Sequence, residues 1–175
     1  PTAVALAVVT LALSIAHGYT APEVGVSYAR ARGLCQQMGE TPELFPALFG
    51  LWVFDLPRGE LSSAREISEQ LLEKAKQSGD RVQLTAAHLA LGNTLLLMGE
   101  LVSGRENMER SIAFREASRQ QTYQSLFGLD PGVFSRAEGA RSVWLLGYPD
   151  QARQWLQEAV ALAAESSDPR NLAFA

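Results

Sequence analysis

The sequence predicts an all-α fold, a right-handed α-α superhelix of about four helical hairpins, and three observations carry that prediction. A glycine-centred pattern recurs along the 175 residues: LWVFDLPRGELSSAREISEQLLE around Gly59, LGNTLLLMGELVSGRENMERSIA around Gly99 and GARSVWLLGYPDQARQWLQEAVA around Gly147. In each, an apolar helical run reaches the glycine, and a second amphipathic run follows with a small residue five positions on: Ala64, Gly104 and Ala152. No run alternates with period two over a strand's length.

Each unit reads physically as two helices folded back on each other. The glycine admits the positive φ of a tight turn at the end of the first helix. The small residue lets the second helix approach the first closely. Apolar positions at helical spacing then build the buried stripe, namely Ile67, Leu71 and Leu72; Met108 and Ile112; Leu156, Ala159 and Val160. Turn signals separate the units at MGETPELFP, QSGDR, FGLDPG and SSDPR.

In chain order, Gly18 is the expected turn of a first unit, with Ala3–His17 as its first helix and Pro22–Met38 as its second. There Val24, Tyr28 and Ala31 stand in the small-residue register after a somewhat longer turn. Successive turn glycines then lie 41, 40 and 48 residues apart. The repeats run approximately over 1–40, 41–79, 80–120 and 121–168, and NLAFA within 169–175 opens a further helix. One domain, 1–175, is expected, as a fragment of a larger protein, because neither end has the polar capping helix that finishes a solenoid.

The opening stretch TAVALAVVTLALSIAHGYTAPEV carries no formal charge before Glu23. Its solid apolar run, Ala3 to Ala16, rises about 21 Å as a helix, short of a hydrocarbon core of about 30 Å. No basic segment precedes it as in a secretory signal. It reads instead as a repeat helix whose second apolar face meets a neighbour, so residues 4–15 are expected to drive self-association.

A net charge of −4 argues against a nucleic-acid surface, which needs clustered Lys and Arg. The densest basic stretch, Arg105 to Arg119, alternates with Glu106, Glu109 and Glu116 and reads as a solvated helix face with i,i+4 pairs. Cys35 is the one cysteine, so neither an internal disulfide nor a cysteine zinc site can form, and a reducing, cytoplasmic setting is the simplest reading.

The apolar-x-x-apolar-Gly pattern, followed by Gly with an aromatic or Leu and then Ala, resembles the tetratricopeptide (TPR) repeat signature. LGNTLLLMGEL matches it closely, and GYPDQA matches its second half. Trp52 stands where the first helix of that repeat usually has Gly, and spacings near 40 exceed the usual 34. More narrowly, GYTAPEV, YARARGLCQQMGETPELFPALFGLW, LDPGV and WLLGYPDQA look like the C-terminal repeats of bacterial signalling proteins in which an adenylate or guanylate cyclase domain precedes an AAA-type (STAND) ATPase. The resemblance implies a scaffolding or sensing arm. The chain has no GxxxxGK[ST] loop and no placeable pair of cyclase metal carboxylates.

No constellation in the sequence supports catalysis, a metal or a cofactor. His17 and His88 are the only histidines, and His88 has no carboxylate at i±4, so it reads as structural. Glu66, Glu69 and Glu73 share a face with Arg65, Lys74 and Lys76 nearby, a solvated surface. No serine sits in G-x-S-x-G, and Cys35 has no placeable histidine partner. Of Trp52, Trp144 and Trp155, ordinary core packing is the default reading.

In stacked hairpins the first helices line the concave face, and the repeat register places Phe49, Val53, Asn93, Leu97, Arg141 and Trp144 near that groove. Asn93 and Arg141 have the least packing reason to be there. The expected function is therefore protein or peptide binding on the concave face, or docking of other domains of the same parent protein, with neither nucleic acid nor membrane as partner. The alternative is a small-molecule sensor controlling an attached ATPase, cyclase or LuxR-type regulator, for which LDPG and the 48-residue spacing leave room.

Overall fold

The computed structural model describes residues 22, 25–27, 29–30, 33–34, 44–118, 130–166 and 168–175. The expectations for Gly18, His17, Cys35, the run 3–16 and most of the first repeat lie outside the described residues. Among the described residues the chain is helical and contains no strand. The helices are α1 (Leu44–Asp55), extended by a 3-10 turn (Leu56–Arg58), α2 (Leu61–Ser78), α3 (Arg81–Leu97), α4 (Leu101–Ser118), α5 (Pro131–Leu145), α6 (Pro149–Glu165) and α7 (Pro169–Phe174). Two compact units, Pro1–Lys74 and Ala75–Ala175, divide the chain inside α2.

The expected turn glycines do what their position requires. Gly59, Gly99 and Gly147 have φ of 78°, 84° and 91°. At each the same pair of bonds closes the helix end: Gly99 N–H donates to the Leu96 carbonyl and Glu100 N–H to the Leu95 carbonyl, with matching pairs at Gly59 and Gly147. Gly79 ends α2 more simply, at φ 67° with one bond to the Ala75 carbonyl. The helices that follow the unit boundaries start differently. Asp80, Asp130 and Asp168 each accept from the backbone two residues on, so α3, α5 and α7 have carboxylate N-caps, two of them followed by Pro at the first helical position.

In the first unit, α1 is buried along almost its whole circumference, with Phe49 and Trp52 rings 5.2 Å apart. Phe54 lies so close to Gly25 that an added Cβ would stand 2.3 Å from the ring, and Arg58 covers Phe54 with its guanidinium 4.9 Å from the centroid. Ala64, Ile67 and Leu71 form the buried stripe of α2, as their spacing predicts.

In the second unit, α3 packs on α4, α5 on α6, and α5 lies against both α4 and α3; α7 rests on α6 and α5. The α3–α4 crossing is set by glycine: a Cβ on Gly104 would stand 2.6 Å from Leu96 Cδ2 and 3.1 Å from the Gly92 carbonyl oxygen. Gly139 plays the same part on α5, where a Cβ would lie 2.6 Å from the Trp155 ring. Leu96, Met108, Ala140, Val143, Ala152 and Trp155 share one core cluster. From Thr85 to Leu96, α3 is buried at every position except Leu91.

The stripe expected on α6 is displaced. Ala152, Trp155, Ala159 and Ala163 are buried, whereas Leu156 and Val160 are 42% and 49% exposed. The cause is neighbourhood rather than sequence. Met108, the equivalent of Leu156 on α4, is covered by α5 around Gly139, whereas α7 is only 6 residues long and starts at the far end of α6.

Candidate functional site

The second unit concentrates its exposed apolar side chains at the turn ends of α3 and α5. The outward face of α5 runs through Phe134, Ala137, Glu138, Arg141 and Trp144, at i, i+3, i+4, i+7 and i+10. Phe134 is covered by the Phe174 ring of α7, with centroids 4.7 Å apart and nearly parallel planes. Beyond it the face opens: Arg141 is exposed and ion-paired with Glu138, and Trp144 is 62% exposed beside Leu145.

On α3, Leu97 and Met98 are exposed at the equivalent end, and Val102 follows on the first turn of α4. Tyr148 completes the edge, its ring 5.3 Å from the Arg105 guanidinium, which ties the Gly147 turn to α4. The buried neighbours of these residues, Leu96 and Val143, belong to the common core cluster. The surface therefore sits on a rigid foundation.

One helical turn before Leu97 lies Asn93, 4% exposed, whose Oδ1 is buried without a hydrogen-bond partner. A buried amide oxygen without a donor is costly, and its enclosure separates Asn93 from the exposed Leu97, Arg141 and Trp144. Of the six residues expected at a groove, the structure brings Asn93, Leu97, Arg141 and Trp144 onto the adjacent helices α3 and α5, and leaves three of them at the surface. Phe49 is buried against Trp52 and Val53 is half-buried, both in the other unit. Phe49 thus has a packing partner of its own within α1.

The titratable groups inside the unit are occupied structurally. His88 donates from Nδ1 to the Asn107 oxygen at 2.8 Å and stacks on Phe114, with ring centroids 5.7 Å apart. Burial, together with the charges of Arg110 and Lys76, pushes its pKa below 6.5 against the opposing pull of Asn107. Arg136 reaches both Glu116 and Glu158, and Arg115 grips Asp130 through both oxygens, of which Oδ1 also caps α5 by accepting from Gly132 N–H. Among the described residues no group of His, Cys, Asp and Glu is arranged to hold a metal ion, and no helix is long and apolar enough to cross a membrane.

Met98, Val102, Leu145 and Tyr148 were not expected at the surface. Their signal was positional: they flank the turn glycines, where helix ends ordinarily carry polar residues. Comparison with family models, curated proteins and solved structures finds no match to the chain.

Proposed function

We propose that this chain is a non-catalytic protein-interaction module of tetratricopeptide type, a right-handed stack of helical hairpins that binds a protein or peptide segment at the α3–α5 face. The observation that carries the reading is Trp144, 62% exposed on a helix whose other face is firmly packed. A large aromatic held on a rigid support at low entropic cost is the typical anchor of an interface. Leu97, Met98, Leu145 and Tyr148 extend the apolar contact, and Arg141 supplies a charged contact at its border. The resemblance of LGNTLLLMGEL and GYPDQA to tetratricopeptide repeats supports the same reading, and the narrower resemblance implies a multidomain bacterial signalling protein as its parent.

Selection of a displayed random-peptide library against the whole chain tests it. Peptides so obtained should lose about tenfold or more in affinity on Trp144→Ala, and measurably on Arg141→Ala. Selected peptides indifferent to both substitutions would sink the assignment. Thermal stabilisation by a metabolite, with no peptide selected, would favour the small-molecule sensor instead.

A further inference from the structure

His88 leaves one ring nitrogen uncommitted. Asn107 donates its amide nitrogen to the Ser103 carbonyl at 2.8 Å, so its oxygen is the atom that faces the ring. His88 therefore carries its proton on Nδ1, and the neutral imidazole keeps a lone pair at Nε2. Among the described residues Nε2 has no hydrogen-bond partner, and unlike Asn93 Oδ1 it is not sealed from solvent. The bond to Asn107 and the stacking on Phe114, with planes 11° apart, present that lone pair from a fixed frame.

Two cations flank it. Asn107, Arg110 and Phe114 stand at i, i+3 and i+7 on α4, and the outer two touch the ring, so Arg110 lies at its edge. Lys76 approaches from the last turn of α2, within the same compact unit. Both cations are exposed, and among the described residues neither forms an ion pair, although Glu106 is one turn before Arg110. Their charges oppose protonation of His88; among the described residues no carboxylate acts on the ring, and α5 brings no charged group to it.

An acceptor between two unpaired cations is selective. A metal ion is repelled by the cations. Sulfate attracts them but sets its own oxygen lone pairs against Nε2. Inorganic phosphate suits all three groups, because at neutral pH it is an anion that retains a P–OH. That hydroxyl donates to Nε2 while other phosphate oxygens accept from Lys76 and Arg110, and the proton stays on the phosphate.

We propose that His88 Nε2, Lys76 and Arg110 form a binding site for a phosphate group that retains one P–OH. The imidazole Cε1–H resonance of His88 in the whole chain, assigned with a His17→Gln variant, is the probe. At pH 7 and constant ionic strength, inorganic phosphate should shift it saturably and sulfate should not. Lys76→Met and Arg110→Met, which change exposed side chains, should each weaken phosphate binding by about threefold or more with unchanged helical circular dichroism. O-phosphoserine separates a free ion from a phosphorylated partner. Its second pKa is about 6, so a site that admits esters should bind it better at pH 6 than at pH 7. A site that ignores it at both pH values takes the free ion, and either result supports the proposal. No saturable shift with phosphate, an equal shift with sulfate, or an affinity unchanged in both variants overturns it.

Discussion

At the scale of single residues, the turn glycines and the exposed aromatic behave in opposite ways. Gly147 sits at φ 91° with no atom within 4 Å of where a Cβ would be, so its glycine is required by backbone conformation alone. Gly147→Ala should therefore cost about 1 kcal/mol in urea unfolding and leave the binding face intact. Such positions were legible in the sequence because a positive-φ turn leaves a residue-type signature. Trp144 was not legible in the same way. Trp144 ends an apolar helical run and Trp155 lies in an amphipathic one, yet the first is mostly exposed and the second is buried against Gly139. Only the neighbouring helix decides between them.

At the scale of elements, the crossings depend on backbone proximity. A Cβ on Gly104 meets both Leu96 and the Gly92 carbonyl, and a backbone oxygen cannot move aside as a side chain can. Gly104→Val should destabilise the chain by about 2 kcal/mol, read as a lower urea midpoint at unchanged slope. The small residue five positions after each turn glycine thus had a physical basis that spacing exposed. Other interhelical ties had none. Ser111 donates to the Thr85 carbonyl and Ser135 to the Ser111 hydroxyl, a buried chain of hydroxyls joining α3, α4 and α5. Nothing in the order of residues links positions 85, 111 and 135, because the partners come together only after three helices have packed. The basic stretch on α4 divides along the same line. Arg105 pairs with Glu109 on its own helix, as i,i+4 spacing predicts, whereas Arg115 and Glu116 reach across to α5.

At the scale of the whole molecule, His88 and Glu158 each make stability fall with acid, in separate windows, and Asp168, held below 3.8 by its hydrogen bonds from Arg170, adds to the lower one. His88 has a folded pKa below 6.5, so the unfolded chain takes up its proton first. Stability present above pH 6.5 should decline as pH falls through and below that value, and His88→Gln should flatten this part of the curve. Glu158 is held below 4.5 mainly by its hydrogen bond from Arg136, then by Gln154. Its contribution is present above pH 4.5 and is lost as pH falls through the folded value, a second decline that Glu158→Gln should remove. Thermal melts between pH 8 and pH 3 would resolve both windows.

The enclosure of α3 has a consequence for how the chain breathes. A helix buried on all sides has no face from which to fray, so its amide protons can meet water only when the surrounding helices come apart. Deuterium uptake over 88–96 should therefore be the slowest among the described residues of the second unit and should report that unit's opening free energy. The exposed face of α6 gives 153–161 a shorter route to solvent, and that segment should exchange earlier. Within the second unit α3 is then an internal clock for opening, readable without any partner bound.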